Sequence, residues 1–541
     1  SPGGVLHRAD AVQCLKEKKT LYRVSEGTGI SCTGAVRWRG VYVFMRMKVS
    51  DYIARKLVDE GISDVFMVTG GGAMHLDDGL GHEPGLHCTF NHHEQACAIA
   101  AECYARIHNK IAAVCVTTGP GGTNAITGVV GGWLDSIPML ILSGQVRYDT
   151  TARSTGLGIR ALGDQEFEIT KAIDCMTKYC EMVIDPMRIR FCLEKALYLA
   201  QTGRPGPCWL DIPLNVQGAY VETEELLGFD KNDYEAGGTG WSVHGSGCDG
   251  CGLCAGKLIQ GKPAMIPEDE AGKGEKRELL PPSVSLDLAR EIVKKVREAK
   301  RPVINAGNGI RIGKAFDVFQ RVVEMLGIPV VTGWNSLDCM YDSHPLYVGR
   351  AGHMGDRPGN FAVQNCDLLL SLGSRLSIRQ VGYNYPTWAR EAYVIYNDID
   401  AEELKKPTVH VDMPVHADVK DLLEKMEMVL EVEAVSADGG PKDKEAVDWW
   451  ISRCQQWKEK YPVVLPKHYE AGEDQPANIY AAIKEISRRA EEDQITVVGN
   501  GSPCVVGGHA YEMKKGQRFI SNSAIASMGY DLPAAIGACL A

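Results

Sequence analysis

The sequence predicts an α/β fold built from doubly wound parallel sheets, and three observations support this prediction. Apolar runs of about six residues recur along the chain, which is typical of strands that are buried on both faces. Segments with helical periodicity separate these runs, as crossover helices do in parallel sheets. The chain has 541 residues, of which 45% are hydrophobic, enough for three or four domains of about 150 residues each. We expect three such domains, the last of them partial.

The first domain is predicted over residues 47–220. An amphipathic helix over residues 49–60 opens it, its strands are the apolar segments DVFMVT, LHCTF, AAVCVTT and MLILSG, and it ends near GRPGPCWLDIP. Glycine loops follow two of these strands, at residues 70–72 and 119–122. Glycine suits backbone that turns tightly or lies close to another group, so both loops are predicted as tight turns. The stretch NHHEQACAIAAECYAR, residues 91–106, is predicted as a helix.

Changes in composition predict the remaining boundaries. Residues 1–46 are basic and lack a regular period, so we expect a leader outside the fold, with a natural start near its end. Residues 221–282 are rich in glycine and charge, as a linker or insertion would be. The central domain is predicted over residues 283–430, with strands in RPVINAGNGI, IPVVTGW, CDLLLSLGSRL and AYVIYNDID. A connector over residues 431–474 leads to a partial third domain, residues 475–541, which is shorter than an ordinary domain.

Composition argues against several classes of partner. The formal net charge of −11 and the sequence pI near 5.8 provide no basic face for nucleic acid. The most apolar long stretch, residues 125–142, contains Asp135 and Pro138 and is too interrupted to span a membrane. Many of the 18 cysteines lie in apolar runs, where a free thiol behaves as a small hydrophobic group. We therefore expect a cytoplasmic protein without a nucleic-acid or membrane partner.

Glu94 is the candidate catalytic residue. A glutamate in the first turn of a helix is favoured by the helix dipole, and that alone would explain its position. At helical spacing, however, Glu94 shares a face with four small residues, Cys97, Ala98, Ala101 and Ala105. A face of this kind favours close helix contact and burial rather than solvent. Because a desolvated carboxylate needs a specific partner, Glu94 is a candidate for acid–base chemistry.

Nine segments, in order along the chain, carry a family resemblance. They are MVTGGGAMHLDDGL, HHEQACAIAAECYAR, VTTGPGGTNAITGV, DSIPMLILSGQV, GDQEFEITKAIDCMTKY, TGRPGPCWLDIPLNVQ, RPVINAGNGI, NDIDAEEL and SMGYDLPAAIGA. In number and order they resemble the thiamine-diphosphate-dependent enzymes of the acetohydroxyacid synthase (acetolactate synthase) family. The resemblance extends from Met47 to the C-terminus apart from the linker, and it implies a pyrimidine-binding, a central and a partial diphosphate-binding domain.

The resemblance implies a chemical role for Glu94. In this family the matching glutamate hydrogen-bonds a ring nitrogen of the cofactor's aminopyrimidine and favours the tautomer that removes the acidic thiazolium proton. A low dielectric strengthens such a proton-sharing contact and keeps water away from the carbanion, so burial suits this role. The cofactor supplies the carbanion stabilisation and the electron sink.

The resemblance also implies the other residues of the site. Gly70, Gly71 and Gly72 would lie near the reacting centre, where their amides could stabilise an oxyanion, although a tight turn explains them equally. The full set of implied cofactor-binding residues is Gly70, Gly71, Gly72, Glu94, Gly119, Pro120, Asn124, Gln145, Gly499, Asn500, Gly501, Ser527, Met528 and Gly529. Gln165 and Lys178 match the substrate side, and a surface role is as plausible for each.

Magnesium and FAD follow from the same resemblance. The family holds the diphosphate through Mg²⁺, which prefers oxygen ligands, with a Gly-Asp-Gly segment and a downstream asparagine. Those ligands would follow LPAAIGACLA, so we expect no metal ligand within this chain, and we expect a truncated and inactive form of a longer enzyme. Some relatives bind FAD in the central domain. Here Gly307 and Gly309 could admit a pyrophosphate, and Arg350 and Arg375 lie in matching segments, so FAD is left open.

Cys248, Cys251 and Cys254 form a CxxCxxC pattern in the predicted linker. Iron–sulfur clusters and zinc can use such spacing, but both prefer four ligands. Because a fourth nearby cysteine is missing, an incidental pattern is favoured over a metal site.

The function implied by the resemblance is decarboxylation of a 2-keto acid and carboligation, with pyruvate converted to 2-acetolactate or a related acyloin in branched-chain amino acid biosynthesis. Two alternatives stay open. One is a thiamine-diphosphate-dependent lyase or C–C hydrolase acting on sugar-derived or cyclic diketones, and the other is a non-catalytic assembly partner. The family's site lies between subunits, which implies a homodimer or homotetramer.

Overall fold

The computed structural model describes residues 21–26, 36–38, 41–242, 277–434, 440–470, 472 and 475–541. The chain divides into two compact units. Of the described residues, the first unit holds those within Ser1–Glu102, Ile111–Trp133 and Ile137–Lys276, and the second holds those within Cys103–Lys110, Leu134–Ser136 and Arg277–Ala541.

A six-stranded parallel sheet organises the first unit, in the order β5-β4-β6-β7-β9-β8. The strands described in this unit are β1 (Leu21–Glu26), β2 (Val36–Trp38), β3 (Val41–Lys48), β4 (Asp64–Met67), β5 (His87–Phe90), β6 (Ala112–Val116), β7 (Met139–Gln145), β8 (Tyr179–Met182), β9 (Pro207–Pro213), β10 (Tyr220–Glu222), β11 (Gly228–Phe229) and β12 (Trp241–Ser242). The four inner strands are fully buried, as their apolar sequences predict.

Helices cover both faces of this sheet. They are α1 (Val49–Asp59), α2 (Met74–His82), α3 (Glu94–His108), α4 (Pro120–Asp135), α5 (Ala152–Thr155), α6 (Ile169–Ile173), α7 (Ile189–Gln201), α8 (Leu214–Gln217) and α9 (Lys231–Glu235). Leu140 and Leu210 point to one face and share a core with α1, α2 and α7. Trp209, which alternates with Leu210, points to α4, where a Cβ on Gly122 would lie 3.6 Å from its ring.

Helices α3 and α4 lie unusually close together in the first unit. A Cβ placed on Gly128 would lie 2.5 Å from the Cβ of Ala98. Small residues on both helices therefore permit an approach that larger side chains would prevent. The buried face of α3 is the small-residue face that the sequence indicates, since Cys97, Ala98 and Ala101 are fully buried.

Antiparallel strands lie beside the predicted limits of the first domain. β3 pairs with β1, β2 and β10, and it crosses the predicted boundary between residues 46 and 47. Within the predicted linker, Leu226, Phe229 and Tyr234 belong to the same hydrophobic core as the sheet. The Trp241 ring stacks on Phe191 with 3.8 Å between centroids. The domain boundaries themselves stay predictions.

A second six-stranded parallel sheet organises the second unit, in the order β15-β14-β13-β16-β17-β18. Its strands are β13 (Pro302–Ala306), β14 (Val330–Thr332), β15 (Tyr347–Arg350), β16 (Leu368–Leu372), β17 (Tyr393–Asp398) and β18 (Met413–His416). The helices between residues 277 and 470 are α10 (Leu286–Glu298), α11 (Gly309–Ile312), α12 (Phe316–Leu326), α13 (Arg357–Asn365), α14 (Ile378–Val381), α15 (Val419–Ala434) and α16 (Lys444–Lys460). One core packs against α10, α12 and α15, and another against α13 and α16. Two parallel sheets with helices on both faces confirm the predicted α/β class.

The last part of the second unit contains a short parallel pair of strands. Its elements are α17 (Ile479–Arg489), β19 (Ile495–Val497), α18 (Ser502–Ala510), β20 (Arg518–Ile520) and α19 (Asp531–Leu540). β19 pairs with β20, and Phe519 joins a small core with Tyr511 and Met513.

The described residues bear on two predictions from composition, one about membrane spans and one about cysteines. No helix in these ranges is both long and apolar enough to cross a lipid bilayer. The thirteen cysteines in the described part of the chain are free thiols. The CxxCxxC pattern of Cys248, Cys251 and Cys254 lies outside the described residues.

Candidate cofactor site in the first unit

Glu94 begins α3 and is 9% exposed. The helix starts here because the backbone N–H of Gln95 donates to His93 Nδ1 at 3.2 Å, which satisfies one of the amides left open at a helix end. The buried small residues of the next turns draw this end of the helix into the protein. The carboxylate is thereby held in surroundings from which most water is excluded.

Asn124 on α4 orients the Glu94 carboxylate. Its Nδ2 donates to Glu94 Oε2 at 2.9 Å, across 30 residues of sequence. Among the described residues Asn124 is the hydrogen-bond partner of this side chain, so Oε1 remains available to a ligand. A Cβ placed on Gly121 would lie 3.7 Å from Oε1. The second oxygen therefore lies beside a turn that carries no side chain at that point.

The turn at residues 119–122 needs its glycines. Gly119 has φ +62°, and a Cβ there would overlap the carbonyl oxygen of Gln165. Pro120 occupies the first position of α4, where its missing N–H costs nothing. The sequence predicted this turn, and the structure adds that Gln165 is packed against it.

The loop of Gly70, Gly71 and Gly72 is fixed by hydrogen bonds from its own amides. The Gly70 N–H donates to Asp77 Oδ2 at 3.1 Å, and the Gly72 N–H donates to Thr117 Oγ1 at 3.1 Å. Burial raises the pKa of Asp77 to about 6, against the opposing effect of the Gly70 hydrogen bond. Two of the three amides are thus used within the protein, which leaves Gly71 as the loop's candidate donor to an oxyanion.

Close backbone packing holds the same loop against the strand ends. A Cβ on Gly144 would overlap the carbonyl oxygen of Gly72 and would lie 2.6 Å from Ala73 Cα. Gln217 Nε2 donates to that Gly72 oxygen at 2.8 Å and also to the Ile212 carbonyl at 2.6 Å. Gln217 is fully buried, and the sequence analysis did not single it out.

Gln145 is buried at the end of β7, and its side chain is fully engaged. Nε2 donates to the Phe167 carbonyl at 3.0 Å and to Asp211 Oδ2 at 3.0 Å, while Oε1 accepts from the Val146 N–H at 3.0 Å. Its predicted contact with the cofactor stays a prediction. The geometry shows instead that Gln145 connects two parts of the first unit.

Asp211 lies at the centre of a buried polar network that the sequence analysis missed. Its side chain is 0% exposed, and Oδ1 accepts from Ser143 Oγ at 2.6 Å. Ser143 in turn accepts from Trp209 Nε1 at 2.8 Å. Burial raises the pKa of Asp211 to about 7, although the hydrogen bonds from Ser143 and Gln145 oppose the shift. The available signal was a carboxylate in the middle of the apolar strand PCWLDIP.

The raised pKa of Asp211 predicts a pH dependence of stability. The unfolded chain releases this proton near pH 4 and the folded chain near pH 7, so the folded state binds more protons between these values. Asp211's contribution to stability is therefore complete below about pH 4 and is lost as the pH rises towards 7. In urea unfolding, we expect Asp211→Asn to gain stability relative to wild type by about 2 kcal/mol from pH 5 to pH 7. If the difference in stability between Asp211→Asn and wild type stayed constant from pH 5 to pH 7, the raised pKa of Asp211 would be contradicted.

The second unit brings together the site residues predicted near the C-terminus. Asn500 Nδ2 donates to the Ser527 carbonyl at 2.6 Å, so the loop after β19 contacts the loop after β20. Gly501 and Gly529 have φ of +83° and +71°, values that favour glycine. Gly499 faces Asp531, whose Oδ2 would lie 3.0 Å from an added Cβ. Met528 is 87% exposed in the single chain.

Two family models match the chain. The thiamine pyrophosphate enzyme N-terminal TPP binding domain matches residues 47–167, and the thiamine pyrophosphate enzyme central domain matches residues 289–426. The chain therefore resembles the thiamine pyrophosphate enzymes over two of their domains. The two matched segments contain Glu94 and Asn124 and all six strands of the second parallel sheet.

Curated relatives cover most of the chain. A probable acetolactate synthase large subunit of Methanococcus aeolicus is 29% identical over 502 residues, which are 92% of this chain and 74% of the relative. The acetolactate synthase large subunit of Lactococcus lactis is 29% identical over 91% of this chain and 73% of its own. Acetolactate synthase isozyme 3 large subunit of Escherichia coli is 27% identical over 91% and 75%. These similarities confirm the resemblance to acetolactate synthases.

The first unit fits the pyrimidine end of thiamine diphosphate. A ring nitrogen needs a carboxylate oxygen that no protein group occupies, and Glu94 Oε1 meets that need among the described residues. A flat ring also needs a wall without side chains, and the turn at Gly121 offers one beside this oxygen. Glu94 and Asn124 would therefore hold the pyrimidine, with the turn 119–122 beside it.

The two predicted substrate residues lie in different places. The Gln165 carbonyl packs on the turn at Gly119, and Gln165 itself has φ +60°, so the structure brings it to the site. Lys178 Nζ donates to the Arg204 carbonyl at 2.8 Å and to Thr202 at 2.5 Å. It directly precedes β8 and thus lies at the amino end of the parallel strands, whereas the site is at their carboxyl end. The structure does not bring Lys178 to Glu94.

The central-domain residues predicted for a flavin use many of their donors within the protein, although Arg350 Nε is buried without a hydrogen-bond partner among the described residues. The N–H groups of Gly307 and Gly309 donate to the carbonyls of Leu372 and Gly373, both at 2.9 Å. Arg350 donates to the Tyr511 carbonyl at 2.6 Å, and it also donates to His509 and Asp342. Arg375 pairs with Glu403 at 3.4 Å. A pyrophosphate at Gly307 and Gly309 would have to displace the hydrogen bonds of their N–H groups, so these two glycines do not fit FAD as they stand.

No group of three or more His, Cys, Asp or Glu side chains in the described ranges could hold a metal ion. The prediction that the magnesium ligands follow Ala541 is not tested by this observation.

Proposed function

We propose that this enzyme is acetolactate-synthase-like and converts two molecules of pyruvate into 2-acetolactate and CO₂. The observation that carries the proposal is the buried Glu94 carboxylate, with one oxygen held by Asn124 and the other beside a glycine turn. The names of the similar proteins support the reaction, since the three relatives above are acetolactate synthases or a probable one. A 2-keto acid is the substrate class that follows.

The residues of the first unit would share a proton with the cofactor and hold the groups of the site in position. Glu94 would share a proton with the pyrimidine ring, and its burial would keep this contact strong because water would not compete. Asn124 prevents the carboxylate from rotating, so Oε1 keeps its direction. Thiamine diphosphate, when bound, supplies the carbanion that adds to the keto carbon and the electron sink for the loss of CO₂. Gly71 is placed to donate its N–H to developing negative charge.

We also propose Mg²⁺ as the bridge to the diphosphate, since a hard cation with oxygen ligands is the usual partner of phosphate. FAD is the less supported cofactor, because the donors of Gly307 and Gly309 are engaged. A homodimer or homotetramer is supported by exposed apolar groups in the second unit, where Met528 and Leu532 are 87% and 72% exposed. A cytoplasmic role in branched-chain amino acid biosynthesis completes the proposal.

Product analysis tests this function. We expect the purified full-length protein, with thiamine diphosphate and Mg²⁺, to consume pyruvate alone and to release 2-acetolactate and CO₂ in a ratio of one to one. Omitting thiamine diphosphate is the control and should abolish turnover. Pyruvate left unconsumed, together with cleavage of a cyclic diketone, would favour the lyase alternative. No turnover of either substrate by a protein that binds the cofactor would favour the non-catalytic alternative.

A further inference from the structure

The buried network of Asp211 extends to the turn beside Glu94. Asp211 Oδ2 accepts from Gln145 Nε2, and the same Nε2 donates to the Phe167 carbonyl, both at 3.0 Å. Two residues before Phe167, the carbonyl of Gln165 packs against Gly119. A continuous set of contacts therefore connects a buried carboxylate in β9 with the turn that faces the Glu94 carboxylate.

A second set of contacts reaches the same turn from the other side of Asp211. Its Oδ1 accepts from Ser143, which accepts from Trp209 Nε1. A Cβ on Gly122 would lie 3.6 Å from the Trp209 ring and 3.2 Å from Ile169. The turn 119–122 is thus bounded by groups that are tied to Asp211 through Gln145 and through Ser143.

The hydrogen bonds determine which way the Gln145 amide points. Oε1 accepts from the Val146 N–H, so Nε2 must face Asp211 and Phe167, and both of its hydrogens find acceptors. Asp211 is the partner whose removal leaves a buried N–H without an acceptor. Such an unsatisfied group costs more than the lost hydrogen bond itself, so the amide would move away from its present position.

We propose that Asp211 is a positioning residue for the cofactor site, which acts through Gln145 to hold residues 165–167 against the turn at Gly119. Asp211 touches no reacting atom in this role. The inference rests on the proposed function for its catalytic consequence, but the anchoring of residues 165–167 can be measured without turnover.

The substitution Asp211→Asn distinguishes a positioning role of Asp211 from a role of its charge, because asparagine keeps a hydrogen-bond acceptor and has no charge. In Asp211→Asn, the amide oxygen can accept from Gln145, so the anchor is kept. The amide nitrogen then faces Ser143, which changes from donor to acceptor as its hydroxyl hydrogen turns away from residue 211. Asp211→Leu has a similar shape and accepts no hydrogen bond. Gln145→Met removes the same anchor from the other side, so it serves if Asp211→Leu does not fold. Ile212→Val is the matched control, since Ile212 is fully buried in the same strand and its side chain lies outside the network.

Hydrogen exchange without cofactor is the first test. The Ile169 N–H donates to the Phe167 carbonyl at 2.9 Å, so a peptide spanning residues 162–170 reports on the anchor. We expect exchange in this peptide to accelerate about tenfold, relative to a peptide from β4, in Asp211→Leu and Gln145→Met. Asp211→Asn and Ile212→Val should stay close to wild type. Unchanged exchange in both Asp211→Leu and Gln145→Met, or equally fast exchange in Asp211→Asn, would overturn the proposal.

Calorimetric titration with thiamine diphosphate and Mg²⁺ is the second test. We expect the affinity to fall about tenfold in the two variants that lose the anchor and to be retained in Asp211→Asn. Equal affinity in all variants would overturn the positioning role. If wild type makes no acetolactate from pyruvate but the exchange pattern holds, the proposed function fails and the anchoring role of Asp211 stands.

Discussion

Replacing Glu94 with glutamine is expected to lower kcat/KM for pyruvate by a factor of about 10² to 10⁴, which is the usual contribution of a general acid–base group. The amide cannot exchange a proton with the pyrimidine ring as a carboxylate does. Its oxygen can still accept from Asn124 Nδ2, so folding should be nearly unaffected. Initial rates of acetolactate formation measure the first effect, and thermal unfolding followed by circular dichroism measures the second.

Asp149→Asn is the matched control for this substitution. Asp149 is an exposed carboxylate of the first unit that pairs with Arg147 at the surface. Removing its charge changes the net charge of the protein as Glu94→Gln does, without touching the site, so turnover should stay at the wild-type rate. If Glu94→Gln kept wild-type turnover, the central role assigned to Glu94 would be wrong.

Gly144→Ala is expected to destabilise the protein by about 3 kcal/mol, the upper end of the usual cost of overpacking a core. The added Cβ would overlap the carbonyl oxygen of Gly72 and would lie 2.6 Å from Ala73 Cα. Both obstacles are backbone atoms, so no side chain can rotate away to relieve the overlap. Because β7 is fully buried, the strand has no free space to move into. Urea unfolding at neutral pH measures the loss.

Gly71→Ala is the control within the same loop. Nothing lies within 4 Å of a Cβ placed there, and Gly71 is not among the glycines with positive φ. Its free energy of unfolding should therefore change by less than about 1 kcal/mol. Equal stabilities for Gly71→Ala and Gly144→Ala would show that the close approach of Gly144 to Gly72 does not exist in solution.

Most inner strands of the two six-stranded sheets could be predicted from apolar runs, and three of the strands that were missed share a physical feature. β8, β15 and β18 all lie at the edges of their sheets. β8 and β18 are mostly half-buried, because an edge strand is only partly covered by the elements around it. Their sequences, YCEM and MPVH, therefore lack the continuous apolar run that marks an inner strand. The inner strands β6, β7, β13 and β16 have that run and were predicted.

The candidate site was predictable in its positions and less so in its hydrogen bonds. The glycine turn at Gly119 and the burial of Glu94 both follow from local patterns. The use of Gln145 as a connector did not, since a glutamine after a strand gives no indication of which atoms it will meet. The placement of Lys178 at the opposite edge of the sheet also needed the strand order, because sequence position alone does not show which end of a strand faces the site.

By itself, the sequence determined that this protein is built from parallel α/β sheets and that Glu94 is buried, because both depend on the period of apolar and small residues along single elements. Only the tertiary structure decided which residues are hydrogen-bond partners. Asn124 lies 30 residues from Glu94, and Asp211 lies 66 residues from Gln145. A hydrogen bond depends on about 3 Å between two atoms, and that distance is set by how separate elements pack rather than by any local pattern.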